Sequence, residues 1–153
     1  MKKSISYIFI ISLFTFYSCK PTHFYNDFKT VDVKGWKSSD TLRYAVDMDD
    51  SNANYDILVS IRHQKTYEFS NLWMNVITEY GDGKKTFRFE IPLFKDDGKP
   101  YGKNSGSLCT QTIPFQKQIR FPVRGKYKIA IVQLMRKDPL DGISDVGVII
   151  DKK

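Results

Sequence analysis

The chain offers two cysteines, two histidines and 17 carboxylates as its reactive groups. Cys19 has the most telling surroundings, FYSCKP at residues 16–21. Phe16 stands three positions before it and Ser18 directly before it, where a bacterial lipobox puts an apolar and a small residue, although Tyr17 departs from that pattern. Upstream, Lys2 and Lys3 precede a nearly uninterrupted apolar run from Ile5 to Tyr17. A membrane-spanning helix needs about 20 apolar residues, so this run fits a signal-peptide core. Ordinary signal peptidase prefers small residues in an A-x-A pattern, and bulky Phe16 and Tyr17 oppose it. Residues 1–18 therefore read as a lipoprotein signal peptide, with Cys19 as the lipidated first residue of the mature chain, 19–153.

If Cys19 carries lipid, Cys109 in LCTQTI has no partner for an internal disulfide. It then reads as a small apolar strand residue, because unpaired cysteines are usually buried. A catalytic thiol would need a neighbouring imidazole from His23 or His63. No nucleophile elbow appears, and a zinc site built on His and Cys lacks ligands. DMDDSNANYD (47–56) spaces oxygen ligands as a calcium loop does. Asn52 and Leu58 occupy positions where an EF-hand requires Gly and Glu, so it reads as a polar turn whose side chains bond their own backbone. KDDGKPYGKNSGS (95–107) is long for a connection in a small domain and holds Tyr101, but it lacks the setting of a phosphate cradle. Trp36, Trp73 and Tyr101 have the chemistry to stack on a sugar ring, although a Trp within an apolar strand such as NLWMNV is more often core. No catalytic residue, metal or cofactor is expected.

Charge narrows the partners. Without Lys2 and Lys3, 22 basic residues face 17 acidic ones, a net of +5. Residues 20–80 carry 7 basic and 9 acidic residues, and 81–153 carry 15 and 8. A basic envelope protein meets anionic lipid, acidic polysaccharide or an acidic protein face, and that address argues against nucleic acid.

The elements that must position these residues alternate with a period of two. TLRYAVDM, YDILVSIR, NLWMNVITEY, TFRFEIPLF, QIRFPV, KYKIAIVQLM and VGVII each place apolar side chains on one face. With HFYNDFKTV and LCTQTI, eight or nine strands emerge and no amphipathic helix. GDGKK marks a hairpin between NLWMNVITEY and TFRFEIPLF. Pro92, Pro114 and Pro122 belong at edges or bends. The expectation is a single-domain all-β sandwich, jelly-roll or immunoglobulin-like, rather than a barrel. RKDPLDGISD (136–145) is expected to form a turn joining the last two strands, with Asp145 pairing Arg136 across the hairpin or accepting backbone N–H groups.

YEFSNLWMNV, the DDGKPYG and KNSGSL stretches and GKYKIAIVQLMRKDPLDGISDVGVIIDK resemble the gliding-motility lipoprotein family GldH of the Bacteroidota, from about Phe24 to the C-terminus. The most specific segment is Gln133, Met135, Arg136, Asp138, Leu140, Gly142, Ile143, Asp145, Val146 and Gly147. The resemblance implies a lipid-anchored, non-enzymatic envelope accessory of the gliding and type IX secretion machinery. It carries over Cys19 as a site and no catalytic residue. Members also occur in bacteria that do not glide. Arg136, Asp138, Asp145 and Tyr101 are the candidates for partner docking or loop shaping, with a periplasm-facing domain expected. A carbohydrate- or small-ligand-binding sandwich, using Trp36 and Trp73 on envelope or host glycans, is the rival reading.

Overall fold

A computed structural model describes residues 23–153, so Cys19 and the signal segment lie outside the described residues. Nine strands form: β1 (Tyr25–Thr30), β2 (Leu42–Met48), β3 (Tyr55–Gln64), β4 (Asn71–Tyr80), β5 (Gly83–Pro92), β6 (Lys103–Ser105), β7 (Leu108–Ile119), β8 (Gly125–Gln133) and β9 (Ile143–Lys152). They pair antiparallel in two sheets, ordered β1-β9-β3-β7-β6 and β2-β8-β4-β5. The fold is the expected all-β sandwich.

Alternation builds the core. In β3, Tyr55, Ile57, Val59, Ile61 and His63 point inward, and in β4 Leu72, Met74 and Val76 do. They meet Tyr44 and Val46 of β2, Ile129 and Ile131 of β8 and Val146, Val148 and Ile150 of β9 in one cluster. Burying each such side chain contributes about 1.5–3 kcal/mol.

Only β4–β5 and β6–β7 pair as sequence-adjacent strands; the other consecutive strands cross between sheets. All connections therefore cluster at two poles. One holds the start of β1, residues 49–54, the β4–β5 turn, residues 120–124 and the C-terminus. The other holds residues 31–41, 65–70, 93–107 and 134–142.

The structure corrects several local expectations. QIRFPV is not a strand of its own: Gln118 and Ile119 end β7, and Phe121 and Pro122 lie in the bend beyond it. The last two strands form no hairpin, since β8 and β9 belong to different sheets and RKDPLDGISD crosses between them. Part of the glycine-rich stretch is structured, because β6 pairs with the start of β7. Gly102 makes that possible: its φ is +81°, and a Cβ there would sit 2.1 Å from the Thr110 carbonyl oxygen. Pro92 ends edge strand β5, Pro114 sits beside a register shift in the β3–β7 pairing, and Pro122 lies in a bend.

Candidate functional site

The segment carrying the family resemblance lies at the pole opposite the start of β1, and nearly all its side chains are committed within the molecule. Trp36 and Leu140 pair backbone to backbone, N–H to O at 2.8 and 2.9 Å, fastening residues 31–41 to residues 134–142. Gln133 is buried; its amide nitrogen faces the carbonyls of Trp36 and Lys137 at 3.4 Å, and its oxygen accepts the Met135 N–H. The Met135 thioether lies 3.3 Å from the Trp73 N–H. Asp138 accepts the backbone N–H and the hydroxyl of Ser38. Those bonds, the hydroxyl's first, hold its carboxyl below the usual range. Leu140, Ile143 and Val146 are core, and Gly142 turns at φ +81° beside Tyr67.

Asp145 and Gly147 serve the outer face of the larger sheet. Asp145 accepts from the Thr30 hydroxyl at 2.9 Å and from the Arg62 guanidinium at 3.1 Å. The expected Asp145–Arg136 pair is absent among the described residues. Asp145 lies opposite Arg62 in the β3–β9 pairing and so takes its cation from there. Arg62 also lies 5.6 Å over the Phe28 ring, and that ring covers Gly147 so closely that a Cβ would stand 2.4 Å from it.

Arg136 is the exception. It is exposed, and among the described residues it has no hydrogen bond or ion pair. Its neighbour Lys137 is held by Glu68 at 2.8 Å and Asp141 at 3.0 Å. These partners, Glu68 first, raise the Lys137 pKa. The same pole exposes Leu134 and Val33, the latter completely. A groove of about 300 Å³ runs between residues 30–35 and 141–145. At the same pole Tyr101 is half-buried, with the Lys95 ammonium 5.6 Å over its ring.

Trp36 cannot stack on a sugar. It is 1% exposed, and its indole N–H is spent on the Asp40 carbonyl at 2.9 Å. Trp73, in turn, is not core. It alternates outward from Leu72 and Met74, half-buried, with Arg88 4.6 Å over its ring. In residues 47–56, read as a polar turn rather than a calcium loop, Asp50 accepts the Asn52 N–H and pairs with Lys152 at 2.9 Å, as a self-bonded turn would.

The structure does bring a thiol and an imidazole together. Cys109 and His63 are register partners across β7 and β3, and both are fully buried. His63 Nδ1 lies 3.0 Å from the Gln64 carbonyl, an acceptor only, so Nδ1 carries the proton and Nε2 is left without a partner. Burial pushes the His63 pKa down. The Cys109 thiol donates to the Asn104 amide oxygen at 2.7 Å. Phe94 and Tyr67 pack on the imidazole, and no substrate reaches a pair closed in this way. Sequence spacing hid this neighbourhood because 46 positions separate the two residues, and only the β3–β7 register joins them.

No solved structure matches the chain. A gliding motility lipoprotein GldH homolog of Christiangramia forsetii is 29% identical over 154 residues, covering 95% of this chain and 94% of the relative. The gliding motility lipoprotein GldH of Flavobacterium johnsoniae is 26% identical over 161 residues, covering 100% and 99%. Residues 23–150, almost the whole sandwich, match the family described as GldH lipoprotein, and the chain belongs to that family.

Proposed function

We propose that the chain is a lipid-anchored, non-enzymatic protein of the cell envelope that serves the gliding and type IX secretion machinery through protein contacts at the pole carrying Arg136. The observation behind this reading is the singular position of Arg136. Every other residue of the motif has an intramolecular task, whereas this guanidinium stands exposed without a partner among the described residues, at the pole that also exposes Leu134 and Val33. Arginine with nearby apolar side chains is a common anchor of protein interfaces.

Orientation supports the same reading. With Cys19 lipidated, Phe24 follows five residue steps after the anchor, a reach of at most about 17 Å. The start of β1 then lies near the membrane, and the Arg136 pole points away from it. We place the domain in the periplasm. Asp138 and Asp145 shape the loops and Tyr101 borders the docking pole.

The test is to extract the protein in mild detergent with Cys19 intact, crosslink it and identify its partners by mass spectrometry. Near-stoichiometric recovery of gliding or secretion components, lost in Arg136→Glu with the fold intact, is expected. Recovery of the lipoprotein alone refutes the reading. A Cys19→Ser chain should accumulate as unprocessed precursor, and its normal maturation would remove the anchor from the account.

A further inference from the structure

At the pole where β1 begins, the two sheets part to leave a cleft of about 460 Å³, within the usual size range of small-molecule sites. Its wall is apolar and largely aromatic, with Ile57 and Phe121 from the side of the larger sheet and Phe87, Tyr127 and Ile129 from the smaller one. Tyr80, partly exposed at the mouth, stacks on Tyr127 with ring centroids 4.3 Å apart. Of the exposed cations along the cleft's border, Lys85 and Arg120 stand at the mouth, while Lys84 and Lys128 alternate outward onto the outer face of the smaller sheet beside Glu79. Glu79 is engaged by Lys84 at 3.5 Å. Arg120 bonds the neutral Asn54 amide oxygen at 3.0 Å, and Lys85, Arg120 and Lys128 have no acidic partner among the described residues. Lys85 stands on the inward-facing side of β5, in line with Phe87, so its ammonium belongs to the cleft mouth. A greasy slot with a cationic lip suits an anionic amphiphile better than a neutral one.

The tether decides which amphiphile. Phe24 packs edge-on against Tyr55, Tyr55 against Phe121 and Phe121 against Tyr127, so an aromatic row leads from the start of the described chain to the cleft. The reach of at most about 17 Å from Cys19 to Phe24 holds this pole at the bilayer surface. The acylglyceryl group on a lipoprotein cysteine has no phosphate, so the basic rim is not explained by the protein's own anchor.

We propose that this cleft binds an anionic phospholipid of the membrane that holds Cys19, with an acyl chain between the sheets and the phosphate between Lys85 and Arg120. The proposal rests on the anchor reading above. It gives the domain a second membrane contact, which sets how the Arg136 pole is presented.

The experiment is native mass spectrometry of the mature lipoprotein in non-ionic detergent with added phosphatidylglycerol, phosphatidylcholine or a polyglutamate peptide. One cation at an anionic lipid surface contributes about fivefold in binding. The double variant Lys85→Glu/Arg120→Glu should therefore retain phosphatidylglycerol about twenty-fold less well than the wild type. The control Lys95→Glu/Lys103→Glu makes the same charge change at the other pole and should retain it normally; circular dichroism checks that both variants are folded. Equal retention of the two phospholipids, indifference to the double reversal, or preference for polyglutamate overturns the proposal, the last in favour of an acidic protein partner. The same spectrum reports the mass of the anchor, so an unmodified Cys19 would defeat the anchor reading separately from the cleft's lipid preference.

Discussion

Replacing Gly147 by alanine drives a methyl group into the Phe28 ring, where the new Cβ would stand 2.4 to 2.6 Å from three ring carbons. No real Cβ contact is that short, so one side must yield. If the ring stays, the overpacking costs about 1–3 kcal/mol. If it lifts away, the sheet loses the burial of a half-covered phenyl ring, of which a full share is about 1.5–3 kcal/mol. The two routes together bracket about 1–2 kcal/mol, or roughly 3–10 °C in Tm for a domain of this size. The ring also lies under Arg62, which holds Asp145, so the loss reaches the start of β9. The assay is urea or thermal unfolding of Gly147→Ala in the wild-type and Phe28→Ala backgrounds. With the ring gone the methyl has room, and alanine exceeds glycine in a strand by about 0.5–1 kcal/mol, so the effect should reverse sign. An equal loss in both backgrounds refutes the steric argument.

His63 makes stability depend on pH. Burial lowers its folded pKa, so below the ordinary value near 6.5 the unfolded chain binds a proton that the folded chain does not. Its contribution is complete above that value and is lost as pH falls towards the lower folded pKa. Urea midpoints from pH 8 to 5 should fall below about pH 6.5 in the wild type, and this component should vanish in His63→Leu. The tryptophans should separate sharply. Trp36→Ala should cost about 3–5 kcal/mol as a cavity at the centre of the loop clasp, and Trp73→Ala under about 1.5 kcal/mol, both read by denaturant melts. Asp138→Ala removes the acceptor for Ser38 and should speed proteolysis in residues 31–41 and 134–142 while the two sheets stay intact.

Much of the fold was legible because a half-buried strand writes its own period. Tyr55, Ile57, Val59 and Ile61 must all face inward once one of them does, and the GDGKK turn between two such runs leaves only an antiparallel hairpin. The lipobox expectation at Cys19 rests on a similar local argument, in which neighbouring residues are the signal, and Cys19 lies outside the described residues. What alternation does not encode is which strands become neighbours, or which face of an outer strand meets solvent. RKDPLDGISD therefore looked like a hairpin although it crosses between sheets, and Trp73 looked like core although its partner is Arg88.

Residue pattern alone thus determined the class of fold and the family, since both depend on short-range sequence. The tertiary structure decided the rest. It gave Asp145 to Arg62, enclosed Trp36, set Cys109 opposite His63, left Arg136 outward and gathered a basic rim over an aromatic cleft. Each of those pairings spans strands far apart in the chain, and their register follows from closing two sheets over one shared core.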